Sequence, residues 1–154
     1  MSKLKIMKFY LFNQNNSGGS FVVDDNLTHR VLIEADTVDE AIERAENLGM
    51  YWHGVEDGYD CPCCGDRWYT PDDEGMKFPF EYSAFEKEEA EKIAKKYHAE
   101  VVENNRHKDR YNVIFKTPEI YLEYMADEWG YTDPNGYIHY KSGRKVIING
   151  RGKK

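Results

Sequence analysis

Residues 30–49 constrain the fold of this chain more than any other stretch. Arg30–Ala35 places Val31, Leu32 and Ile33 in succession. Such a run suits a central strand buried on both faces. Directly after it, Thr37 and Glu40 stand in capping-box spacing, in which each side chain satisfies a backbone N–H of the first helical turn. Val38, Ala41, Ile42, Ala45 and Leu48 then recur at helical spacing, and Gly49 closes the helix. Glu40, Glu43, Arg44 and Glu46 occupy the opposite face. The stretch predicts a strand followed by an amphipathic helix packed on its sheet.

Other elements arrange around this unit. Lys8–Phe12 and Phe21–Asp24 read as strands, separated by an Asn/Ser/Gly loop. Residues 50–82 read as one irregular loop, and loops of that length are usually functional, metal-tied or mobile. Ser83 and Glu86 suggest a second capping box, opening a helix with Ala90, Ile93, Ala94 and Tyr97 as its apolar stripe. Glu100–Glu103 and Tyr111–Lys116 suggest a hairpin. Thr117-Pro118 is a cap with proline at the first helical position, and this third helix should run to about Glu128. Tyr137–Tyr140 and Lys145–Ile148 pair as a final hairpin. The order predicts an α+β fold: a mainly antiparallel sheet packed by two or three amphipathic helices, with a long Cys-containing loop. It is expected to be a single domain over 1–140, followed by the final hairpin strand and a basic tail over 141–154.

Composition narrows the class. The chain has 154 residues, enough to bury a core without disulfides. No apolar run approaches the roughly 18 residues of a membrane span. The net charge of -7 divides into an acidic body at -13 over the first 140 residues and a basic tail at +6. The acidic body argues against non-specific duplex DNA binding. The difference in sign leaves a head-to-tail contact between subunits open, beside the plainer reading of a solvated terminus. Met1–Lys8 lacks the apolar core of a signal peptide, and Met7 is a candidate second start. Three cysteines within four residues cannot build a disulfide framework, so a reducing cytoplasm is expected.

Two segments could carry chemistry. In Cys61-Pro62-Cys63-Cys64-Gly65, Cys61 and Cys64 have the spacing of a zinc knuckle. Zinc needs four ligands, and the sequence offers His53 first, with Asp60, Asp66, His98 and His107 as further candidates. Cys61, Cys64 and His53 are therefore the expected zinc set. A tight turn with thiols packed under aromatic rings is the plainer alternative. Redox chemistry is a third, with Arg67 able to lower a thiol pKa. The other segment, Asn13-Gln14-Asn15-Asn16-Ser17, precedes two glycines. Its carboxamides could read the donor and acceptor edges of a small ligand. Arg67 and Trp68 are of the residue types that dominate binding hot spots. Asn13, Gln14, Asn15, Asn16, Ser17, Arg67 and Trp68 form the expected ligand site. The alternative places Trp68 in the core, Arg67 beside an acid and residues 13–20 in a plain hairpin loop. His29, His53, His98, His107 and His139 are scattered without a nucleophile–base pattern, so no catalytic set can be named and a binding role is expected ahead of an enzymatic one.

The run Phe9–Phe21, the strand Val31–Ala35, Asp39-Glu40-Ala41 and the cluster Asp60–Tyr69 together resemble a group of small proteins encoded by tailed bacteriophages of Gram-positive hosts. The resemblance covers about residues 7–70 and transfers no functional residue. It implies a small accessory phage protein acting in the host bacterial cytoplasm, where such proteins often counter host defence. The first functional reading is therefore a binding protein. It would sequester a small anionic or nucleotide-derived immune signal, or bind a host defence protein. The second is a zinc-stabilised nucleic-acid or transcription-complex module, and the third an enzyme degrading a nucleotide signal.

Overall fold

A computed structural model describes residues 7–15, 23–104, 109–129 and 136–148. It is α+β, with two sheets and three helices among the described residues. The chain forms β1 (Lys8–Asn13), β2 (Arg30–Glu34), α1 (Val38–Asn47), β3 (Met76–Lys77), β4 (Glu81–Ala84) and α2 (Lys87–Tyr97). It continues through β5 (Glu100–Glu103), β6 (Tyr111–Ile114), α3 (Pro118–Trp129), β7 (Gly136–His139) and β8 (Lys145–Ile148). The larger sheet has the order β3-β1-β2-β7-β8 and the smaller β4-β6-β5. Every pair is antiparallel except β2 with β7. No described helix is long and apolar enough to cross a membrane.

β2 is the central strand of the larger sheet and all five of its residues are buried. One face places Val31 and Ile33 with Tyr10, Phe12, Trp68 and the α1 residues Ala41 and Ala45. The other places Leu32 with Phe9, Phe80, Ile138 and Leu122 of α3. The capping box of α1 forms, with a shift. Thr37 Oγ1 accepts the N–H of Glu40 at 3.2 Å, whereas the Glu40 carboxylate reaches the N–H of Asp36, one residue before the cap.

α3 joins the two sheets. Leu122 packs into the core of the larger sheet, while Ile120, Tyr124 and Met125 pack with Val113, Phe115 and Tyr97 over the smaller. Aromatic rings link the cores: Phe9 to Phe80, Phe80 to Tyr121, Tyr121 to Phe115, Phe115 to Tyr124, with centroids 4.8–5.6 Å apart. Offset and edge-to-face pairs of this kind favour association beyond their buried area. Five aromatic residues thus form the joint.

Three expectations change. Ser83 does not cap a helix: it lies in β4, opposite Asn112 of β6, and α2 begins four residues later with Glu86 at its cap. Strand pairing on both sides of Ser83 outweighs one local cap. Asp24 lies in no strand; its carboxylate accepts the N–H groups of Asn26 and Leu27 and makes a turn. Phe21 and Val22 lie outside the described residues. The 50–82 stretch is not one irregular loop, since it contributes β3 and opens β4.

The turn at Asp24–Asn26 is held by the last hairpin. Tyr137 donates to the Asp24 carbonyl at 2.6 Å, and His139 Nε2 lies 2.9 Å from the Asn26 carbonyl oxygen. Burial lowers the His139 pKa below the ordinary 6.5, because it disfavours the charged ring. His29 is lowered for the same reason, with Arg30 adding to it. A lowered value means that the unfolded chain binds the proton more tightly. Stability is therefore full above pH 6.5 and falls as pH drops below it. Urea midpoints at pH 7.5 and 5.5 should show this loss. His139→Gln, which cannot titrate, should reduce the difference; an unchanged difference would assign it to His29 or to carboxylates.

Candidate functional site

The site forms where β1 loses its partner. Phe9 pairs with Met76 of β3, and farther along the same edge Gln14 forms a bridge with Trp68. Between these points Tyr10–Asn13, four residues, face Tyr69–Gly75, seven residues. The longer segment bows away from the sheet edge and leaves a groove of about 450 Å³. Leu11, Met76 and Pro71 make it apolar, and Asn13, Tyr69, Thr70 and Asp72 supply its polar groups. Leu11 and Asn13 share a face of β1, as alternate residues of a strand do. Tyr69 is 54% exposed. Gly75 lets the bowed segment return: a Cβ there would lie 2.8 Å from the Tyr10 ring, and its φ is +67°.

Polar contacts bind the two sequence motifs to each other beside the groove. Asn15 donates through Nδ2 to the carbonyls of Cys64 and Asp66, at 2.8 and 3.1 Å, and its N–H donates to the Arg67 carbonyl at 2.8 Å. Gln14 donates to the Thr28 carbonyl at 3.1 Å and accepts from the Arg67 guanidinium at 2.8 Å. Asp60 accepts the Arg67 N–H and the Tyr51 hydroxyl, both at 2.9 Å. Burial raises the Tyr51 pKa, and its hydrogen bond to Asp60 raises it further. Asp66 accepts the Val55 N–H at 2.9 Å. The Asp60 carboxylate can approach only because residue 54 is glycine; a Cβ there would lie 1.8 Å from its Oδ2.

The expected ligand residues therefore divide. Asn13 lines the groove. Gln14 and Asn15 hold the 60–67 loop, and Arg67 completes that staple. Trp68 is 1% exposed and lies in the core, so its ring presents no surface to a ligand. Asn16 and Ser17 lie outside the described residues. Tyr69, Thr70 and Asp72 were not singled out from sequence as groove residues. The available signal was the bulky Tyr69 immediately after a buried Trp68, where strand alternation turns it outward.

Cys61–Gly65 forms a tight turn, with Cys64 and Gly65 N–H groups donating to the Cys61 carbonyl at 3.0 and 3.1 Å. Cys61 and Cys63 are exposed and Cys64 is half-buried, so the first two do not pack under aromatic rings. The backbone N–H of Cys63, then the thiols of Cys64 and Cys63, lower the Cys61 pKa below its ordinary 9.0. The same thiol–thiol contact raises that of Cys64. Among the described residues, no three His, Cys, Asp or Glu side chains gather as a metal-ion cage. His53 is exposed, in a left-handed conformation with φ +58°.

Compared with known proteins, residues 7–154 match a family described as a domain of unknown function, DUF7296. No curated protein and no solved structure matches the chain.

Proposed function

We propose that this chain, which belongs to the DUF7296 family, is a binding protein that sequesters a nucleotide-derived signal and so counters host antiviral defence in the bacterial cytoplasm. The groove between Asn13 and Tyr69 is the observation that carries this reading. An exposed tyrosine offers a stacking face for a base. The Asn13 carboxamide offers both a donor and an acceptor to its edge. The Asp72 carboxylate suits a ribose hydroxyl and repels a phosphate, and no lining residue is cationic. The nucleoside end therefore enters the groove and the phosphates stay at its mouth. The phage resemblance of residues 7–70 supports the defence context.

Calorimetry with cyclic nucleotides, cyclic dinucleotides and cyclic ADP-ribose isomers tests the reading. At least one should bind, and it should be recovered chemically unchanged. Tyr69→Ala should weaken it roughly 5- to 150-fold, the range for loss of one stacked base. Silence across the panel removes the nucleotide reading and turns attention to a host defence protein. A converted ligand would make the protein an enzyme.

A further inference from the structure

We propose that the turn Cys61–Cys64 is a thiol–disulfide exchange site whose substrate is a low-molecular-weight disulfide. The inference is independent of the groove and its ligand. Three thiols lie within four residues, two of them exposed, and none belongs to a buried core cluster. A fold that used these side chains for packing would have covered them.

The turn suits one disulfide in particular. Its Cys64 N–H to Cys61 carbonyl bond, at 3.0 Å, is the closure of a four-residue turn. Such a turn brings its first and last Cα atoms within about 7 Å. A disulfide spans Cα atoms about 4.4–6.8 Å apart. Cys63 and Cys64 are adjacent, and their Cα atoms, about 3.8 Å apart across a trans peptide, are too close for an unstrained bridge. The Gly65 N–H donates to the same Cys61 carbonyl at 3.1 Å and tightens the turn. Cys61 is exposed and Cys64 half-buried, an order of access that suits an attacking sulfur and a resolving one.

The exchange balances in two steps. Cys61, its proton passed to water, attacks one sulfur of the disulfide RSSR. A Cys61–SR bond forms, the S–S bond breaks, and RS⁻ leaves and takes up a proton. Cys64 then loses its proton and attacks the Cys61 sulfur, forming the Cys61–Cys64 bond and expelling the second RS⁻, which is protonated in turn. The protein dithiol is oxidised by two electrons and RSSR is reduced to two RSH.

The turn also touches its surroundings. Asn15 donates to the Cys64 carbonyl, and a Cβ on Gly65 would lie 3.0 Å from the Tyr69 hydroxyl.

The full chain, purified without chelator and assayed for zinc, is reduced and then equilibrated in glutathione buffers of graded oxidation. Thiols are quenched with an alkylating agent and mapped by mass spectrometry. Two of the three thiols should be lost to alkylation, with Cys61 and Cys64 joined and Cys63 alkylated. Cys64→Ser should accumulate a glutathione mixed disulfide at Cys61 that the parent chain does not retain, and Cys61→Ser should form neither product. Far-UV circular dichroism checks that each variant folds. The proposal is overturned if all three thiols stay alkylatable in the most oxidising buffer. It is equally overturned if the bridge joins Cys63 to a neighbour, or if stoichiometric zinc protects Cys61 and Cys64.

Discussion

Trp68→Ala is expected to destabilise the fold by about 3–5 kcal/mol, the usual range for removing a large buried aromatic side chain. Between Met50 and Phe80, Trp68 is the one buried apolar side chain among the described residues. Its ring packs in the core of Tyr10, Phe12, Leu27 and Met50, and its backbone bridges Gln14. It therefore anchors the middle of the 50–80 segment, whose ends are held by Met50 and by β3. Losing it should weaken the staple at Asn15, Arg67 and Asp60 as well, because those hydrogen bonds depend on the loop's position. Urea unfolding followed by far-UV circular dichroism measures the loss, and limited proteolysis should show new cleavage within 50–80. Trp68→Phe should lose much less, since a ring still fills most of the space. A loss below about 1 kcal/mol for Trp68→Ala would mean that the polar staple alone holds the loop.

Leu122→Ala should cost about 2–5 kcal/mol, as buried leucine truncations do. Leu122 is 1% exposed and brings α3 onto the larger sheet against Phe9, Leu32 and Ile138. Its contact with β7 is close. A Cβ on Gly136 would lie 2.7 Å from Leu122 Cδ2 and 2.9 Å from its Cγ. Gly136→Ala should accordingly cost about 1–3 kcal/mol by overpacking. In the Leu122→Ala background that added methyl enters vacated space. The double variant should then lose clearly less than the sum of the two single losses, because residues in contact do not act additively. Simple additivity would show that α3 shifts on β7 to accept either change.

Legibility from sequence follows the range of the interaction. The strand Arg30–Glu34, the Thr37 cap of α1 and the Thr117-Pro118 start of α3 were readable, since each depends on neighbours within a few residues. The Glu100–Glu103 and Lys145–Ile148 strands were readable for the same reason. Ser83 misled because its local cap signal competes with pairing to Asn112, 29 residues on. β3 was invisible: two residues carry no period, and only the open edge of β1 makes them a strand.

The candidate site shows the same division. That Asn15 meets Cys64 and Arg67 meets Gln14, across about fifty residues, cannot be read from spacing. The carboxamides looked like ligand readers because their chemistry is the same whether the partner is a ligand or another loop. Asn13 kept its place at the groove because its side chain leaves β1 on the face opposite Phe12.

The sequence by itself determined the α+β class, the two-faced burial of β2, the capped starts of α1 and α3 and the compact cysteine turn. All rest on periodicity and on backbone groups satisfied within one turn. Tertiary structure decided which polar residues are structural, that Trp68 is core, that the aromatic rings join two sheets, and where β1 is left open as a groove. Those outcomes depend on which distant segments meet, and close packing admits only arrangements that fill the space between them.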